Sequence, residues 1–248
     1  VPWFVLGALD IHHLARNGHA RLLHSVFLFR PDVLVDSTNE DGKTALHIAA
    51  EEENVGALRV AIKAGAAVDQ TYPTYRYNKR KALESTALQQ AAEDGFPEVV
   101  QALVEAGADP DRCLGRRPVA RSEILDSVVV PRLPTTASSV LFTPVTPLRS
   151  AAARGYTTIV NILIAAGADP EGRIAGGVGW DPPLHLAAMH GHTDVVRSLL
   201  RAGAQASRKD ERRLGGMTAL HWAVLEGRCE SAAVLIKELA GGKVSSEI

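Results

Sequence analysis

The 248-residue chain has little cysteine, methionine or aromatic character: two Cys, two Met, three Trp and 5% aromatics, with a formal net charge of −1. Each shortage excludes something. Cys113 and Cys229 are too few for a disulfide framework or a zinc quartet, which fits a reducing compartment and an intracellular protein, cytoplasmic or nuclear. A charge so close to zero removes the general reason to expect nucleic acid. The apolar opening Val1–Leu9 is too short to cross a bilayer, so no membrane insertion is expected. A chain opening on Val1 rather than Met is compatible with a piece of a longer protein, from which targeting signals could have been cut.

Catalytic patterns are lacking too. There is no G-x-S-x-G, no Walker loop, and no G-x-G-x-x-G with its distant acidic partner. The AGGVG run at Ala175–Gly179 leads into Trp180 and Asp181 and reads as a flexible tip. His185, His190 and His192 miss the i, i+4 spacing of a helical zinc site, and no Cys or carboxylate stands with them. No catalytic residue, metal or cofactor is expected.

What the chain does have is repetition. TALHIAA at Thr44–Ala50 returns as TALQQAA (Thr86–Ala92), TPLRSAA (Thr146–Ala152), PPLHLAA (Pro182–Ala188) and TALHWAV (Thr218–Val224), after a weaker LDIHHLA at Leu9–Ala15. Nine residues after each block start stands Gly18, Gly95, Gly155, Gly191 or Gly227, with Glu53 the exception. Twelve residues further on, Gly65, Gly107, Gly167 and Gly203 open a second turn. Between the glycines run apolar pairs at i, i+1, i+4 and i+5, such as Val99, Val100, Leu103 and Val104, which make one buried stripe on a second helix. The last copy is thinner, with Ser231, Ala232, Leu235 and Ile236. Threonine opening a block suits an N-cap, and Pro147 and Pro183 suit a first helical turn.

Block and glycine register together closely resemble the ankyrin repeat, most specifically in GHTDVVRSLLRAGA (Gly191–Ala204) and FPEVVQALVEAGADP (Phe96–Pro110). The resemblance implies an all-α solenoid of six helix-turn-helix repeats with enlarged finger loops, forming a single domain over 1–248. The repeats fall at about 5–38, 39–69, 70–111, 112–171 (with a long insertion at 112–143), 172–206 and 207–242. It also implies that the block histidines His12, His47, His185 and His221 hydrogen-bond neighbouring backbone, a position held by Gln89 and Arg149 in repeats three and four.

Block starts are separated by 35, 42, 60, 36 and 36 residues. The excess falls in two fingers, and such insertions land on one face of an array. Gln70–Ser85 interleaves Tyr72, Tyr75 and Tyr77 with Arg76, Lys79, Arg80 and Lys81, which reads as a contact surface or as a basic loop kept for solubility. A nuclear-import or nucleic-acid role for RYNKRK is the weaker third reading, because the run is short and stands alone. Arg112–Thr143 carries Ile124, Leu125, Val128, Val129, Val130, Leu141 and Phe142. Two readings stand for it: a structured flap over the array, or a degenerate seventh repeat.

Helical offset then lists the outward face of each first helix. With Leu220, Ala223 and Val224 on the core side, Trp222, Leu225 and Glu226 face out; the same offset exposes Leu186, Met189 and His190, and Ser150, Ala153 and Arg154. In repeats two and three it exposes Glu51, Glu52, Glu93 and Asp94. The resemblance implies that this face and the fingers line a concave groove where partners bind. An acidic half and an apolar half suit a basic, partly apolar protein or peptide. The expected contacts are Tyr72, Tyr75, Arg76, Tyr77, Glu51, Glu52, Glu93, Asp94, Arg154, Trp180, Met189, His190, Trp222 and Leu225. The alternative is a small-molecule or catalytic pocket between the groove and the 112–143 insertion.

Overall fold

The structure, a computed structural model, describes residues 10–29, 34–74, 83–112, 146–173, 181–210 and 216–241. Tyr75, Arg76, Tyr77 and Trp180, and the 112–143 insertion beyond Arg112, lie outside them. Among the described residues are twelve helices in six pairs. These are α1 (Ile11–Arg16) with α2 (Ala20–Phe29), α3 (Ala45–Glu51) with α4 (Val55–Lys63), and α5 (Ala87–Asp94) with α6 (Pro97–Glu105). The later pairs are α7 (Pro147–Arg154) with α8 (Thr157–Ala165), α9 (Pro183–His190) with α10 (Thr193–Arg201), and α11 (Ala219–Leu225) with α12 (Cys229–Leu239). One two-stranded hairpin, β1 (Thr71–Thr74) and β2 (Leu83–Thr86), forms the finger before α5, pairing Thr71 with Thr86 and Tyr72 with Ser85.

Three first helices start where a block threonine caps them, while α1 is capped by Asp10 and α9 starts at Pro182 with no side-chain cap. Backbone N–H groups of His47, Gln89 and Arg149 donate to the hydroxyls of Thr44, Thr86 and Thr146 at 3.4, 3.2 and 3.3 Å. Each of these bonds satisfies an end N–H that the helix itself cannot. Gly155 shows why the following turn wants glycine. Its φ is +79°, and a Cβ there would lie 2.5 Å from the His192 ring of the next repeat. Glu53 takes the same turn with a side chain, at φ +55°.

First helices stack on first helices and second helices on second, giving two layers. The alanine pairs 49/50, 91/92, 151/152 and 187/188 are buried between them, against Leu58, Val99, Val100, Leu103, Ile159, Val160, Leu163, Val195, Val196 and Leu199. Small side chains on the first helix let the layers close, and apolar burial drives the stacking. The architecture is the expected all-α solenoid, with β-structure among the described residues confined to one finger hairpin and an isolated bridge between Lys209 and Thr218.

Polar side chains tie each repeat to the next. His12, His47 and His185 donate through Nε2 to the carbonyls of Ser37, Gln70 and Met217 at 2.9, 2.8 and 3.2 Å. Arg149, in the same position, donates through Nε to Asp181 O at 3.0 Å, so a guanidinium does the work of an imidazole. The finger carboxylates form a second series. Asp36, Asp69, Asp111 and Glu171 accept the backbone N–H of Ala67, Asp109, Asp169 and Gln205 at 2.9, 3.3, 3.0 and 2.6 Å. Burial pushes the Asp111 carboxyl up despite that bond, with Asp169 and Asp109 adding like charge.

The last pair departs from its predicted pattern. Val224 and Ile236, both placed on core faces by periodicity, are 63% and 55% exposed. In earlier repeats the matching positions are covered by the following helix pair, and among the described residues none packs beyond α11 and α12.

Candidate partner-binding face

The outward side of the first helices carries the predicted contacts, and they differ in kind. The acidic group is largely matched by cations from other elements. Glu51 accepts from Lys43 Nζ at 2.7 Å, Glu52 lies 3.6 Å from Arg16 Nε, and Glu93 accepts from Arg154 at 2.8 Å. Asp94 accepts from the Gln90 amide at 2.6 Å and has no cation among these ion pairs. Spacing along a single helix gave no warning of Arg16 and Lys43, because they come from other elements.

Two residues expected to be exposed on this face are buried. Tyr72 is 1% exposed: its ring lies 4.4 Å from that of His47, with Lys43 Nζ 5.4 Å from its centroid, and its hydroxyl donates to Glu51 at 3.0 Å. Strand alternation turns it inward, opposite the buried Ser85. It holds the finger to α3. Trp222 is 9% exposed, and its indole N–H donates to Asp210 at 2.7 Å. The buried Asp210 is brought there by the finger that folds back as Asp210 N–H donates to Met217 O at 2.7 Å. The indole is therefore a wall of the face rather than a free side chain.

What stays open is apolar and lies in the last two repeats. Leu225 is 62% exposed, Leu186 and Met189 are half-buried, and His190 is exposed beside them. The His190 imidazole is held below its ordinary range by partial burial, with His192 and Arg228 adding positive charge. Asp181, His185, Leu186, Met189 and Trp222 enclose a notch of about 10 Å³. That is room for about one water, far below the ~300 Å³ of a small-molecule pocket. Farther along, Ser150 is buried, Ala153 half-buried and Arg154 exposed, so the middle of the face is shallow.

His47 and His185 are buried, and burial pushes both imidazoles down, toward the neutral form. Neutral rings suit their bonds to finger carbonyls. No cluster of three or more His, Cys, Asp or Glu that could hold a metal ion occurs among the described residues, and no described helix is long and apolar enough to cross a membrane.

A family model described as ankyrin repeats (3 copies) matches residues 11–112 and 148–246. No curated protein gives a significant sequence match. Among solved structures, the chain is similar to the human ASB11 ankyrin repeat domain, with a TM-score of 0.61 and 21% identity, covering 92% of this chain and 83% of that one. It is also similar to an ankyrin repeat domain from Acinetobacter baumannii AYE, with a TM-score of 0.65 and 24% identity, covering 93% and 97%. At these identities the neighbours speak for the fold. Together with the block register and the paired helices, the family match makes this chain a member of the ankyrin-repeat family.

Proposed function

We propose that the chain is a protein-interaction module that seats a basic, partly apolar peptide or protein segment across the first-helix face, anchored in repeats five and six. Ankyrin-repeat domains are generally protein–protein interaction modules. The observation that carries the reading for this chain is the exposed Leu225 set beside half-buried Leu186 and Met189, walled by the fixed Trp222 indole. A rigid aromatic wall next to an adaptable methionine is the kind of surface that supplies most binding energy. Asp94 and the outward Glu53 add negative charge at the other end, where they steer a basic partner. Glu51, Glu52 and Glu93 are engaged by Lys43, Arg16 and Arg154, so their steering is weaker than their number suggests. An exposed, free Cys229 thiol fits a reducing intracellular setting.

The test uses two synthetic peptides on the ¹⁵N-labelled chain, one alternating arginine with leucine and one alternating glutamate with leucine. The arginine peptide is expected to shift the amides of Met189, His190 and Leu225. Met189→Ala with Leu225→Ala should weaken it by about 2 kcal/mol. Equal binding of both peptides, or shifts confined to other faces, would refute the assignment.

A further inference from the structure

The second-helix layer carries a feature the first-helix face does not explain. The solvent positions of a second helix are ordinarily charged: Arg59 and Lys63 on α4, Glu98 and Glu105 on α6, Asp194, Arg197 and Arg201 on α10. The corresponding positions of α8 are Thr158, Asn161 and Ala165, and its whole sequence, TTIVNILIA, holds no charge. All three are exposed, with Ile162 half-buried among them. Against this helix, on the side of α6, lies a crevice of about 450 Å³ lined by Gln101, Val104, Thr158, Asn161, Ile162 and Ala165. It is a shallow depression open to solvent rather than an enclosed pocket.

The rims differ in net sign. Glu98 and Glu105 stand exposed on α6, with Glu105 3.7 Å from Arg59, and α10 beyond α8 exposes Arg197 and Arg201 with one acid, Asp194, in its first turn. The floor between them is uncharged. Its walls are helices whose backbone groups are already bonded internally, so an extended strand laid there would leave its own N–H and C=O groups unpaired. A helix brings its backbone bonds with it. About two helical turns match the nine-residue walls, and present anchors at i, i+3 or i+4, and i+7.

We propose that this crevice is a second docking site, on the layer opposite the groove face, for an amphipathic helix of another protein. The helix carries small apolar anchors on its docking face, a basic flank toward α6 and an acidic flank toward α10. A second copy of this chain is the poorer occupant. A stable pair of proteins uses roughly 20–30 residues a side, and the crevice with both rims offers about ten.

The probe is a synthetic helix of about 15 residues, long enough to be partly helical alone, with alanine and leucine on one face, arginines on one flank and glutamates on the other. Titrated into the ¹⁵N-labelled full chain, it is expected to shift Val104, Thr158, Asn161 and Ile162. The triple variant Thr158→Asp, Asn161→Arg, Ala165→Arg gives α8 the charges α10 already carries, so the fold accommodates them. It should weaken the probe about tenfold, because a charge then faces an apolar anchor. A peptide with arginine and glutamate exchanged should bind several-fold more weakly. Absence of binding, shifts on the Met189–Leu225 face, or equal affinity for the triple variant overturns the proposal. A doubled sedimentation mass without peptide that the triple variant abolishes also overturns it, in favour of a second copy. Met189→Ala with Leu225→Ala should leave the α8 shifts in place, which keeps this result separate from the groove reading.

Discussion

Replacing Pro182 with threonine should stabilise the protein, and the reason is one nitrogen. In repeats two and six the block threonine meets the block histidine twice. Thr44 N–H and Oγ1 lie 3.2 and 2.8 Å from His47 Nδ1, and the Thr218 pair lies 3.1 and 2.8 Å from His221 Nδ1. Pro182 supplies neither an N–H nor a hydroxyl. His185 donates through Nε2 to Met217 O, so its Nδ1 is an acceptor, and that atom is buried in a side chain 2% exposed with no hydrogen-bond partner. A buried, unmet acceptor costs about 1–3 kcal/mol. Threonine restores both donors at a backbone already in the right region, since Pro182 sits at φ −57°, ψ 154° and Thr44 at φ −82°, ψ 169°. Losing proline's restraint on the unfolded chain gives back about 0.4–1 kcal/mol. The net gain is about 1 kcal/mol, or roughly 2–4 °C in melting temperature at this size if the array melts as one unit. Pro182→Val is the control, since it restores the N–H and the shape but not the hydroxyl. Urea unfolding should rank threonine above valine by about 1 kcal/mol. A Pro182→Thr protein no more stable than the unsubstituted protein would refute the argument.

Three other outcomes follow from the same geometry. Burial depresses the His47 and His185 imidazoles, so the unfolded chain binds protons more tightly; their contribution is complete above the ordinary histidine pKa of about 6.5 and is lost as pH falls below it. Urea midpoints at pH 7.5 and 5.5 should show this slope, and His47→Gln should flatten it. Glu53→Gly relieves a side chain held at φ +55° and should raise stability by about 0.5–1 kcal/mol in the same assay. Glu171→Ala strands Arg208 and the Gln205 N–H, both of which Glu171 engages, and should cost about 2 kcal/mol. Hydrogen exchange should place that loss in α9 to α12.

The helix pairs were legible because both their periods are written in the chain: the block with its capping threonine, and the glycine turns that follow at fixed distance. The face was only half legible. Helical offset says which side of a helix a residue occupies, but not what another element lays across it. Trp222 is on the outward side, and a finger returning through Asp210 covers it. Tyr72 belongs to a strand, where neighbouring residues point opposite ways, and its place inside became visible only with the pairing to Ser85. Val224 and Ile236 were misplaced for the converse reason, since a core position needs a neighbour as well as a periodicity. The substitution of Arg149 for histidine was visible at once. Its equivalence was not, because it depends on a guanidinium reaching Asp181 O.

The carboxylates that join successive fingers run from Asp36 to Glu171 and go no further: Ser207 stands at the next position and makes no such bond among the described residues. In a chain whose stability sums over neighbouring units, a missing bond lowers the cost of opening that joint, which His185, Thr193 and Arg228 otherwise tie across. The sixth pair should therefore detach transiently while the first five stay closed. Met189 belongs to the fifth pair and Leu225 to the sixth, so a ligand bridging them holds the joint shut. Occupancy of the face would then be readable far from any contact, as slowed amide exchange along α12.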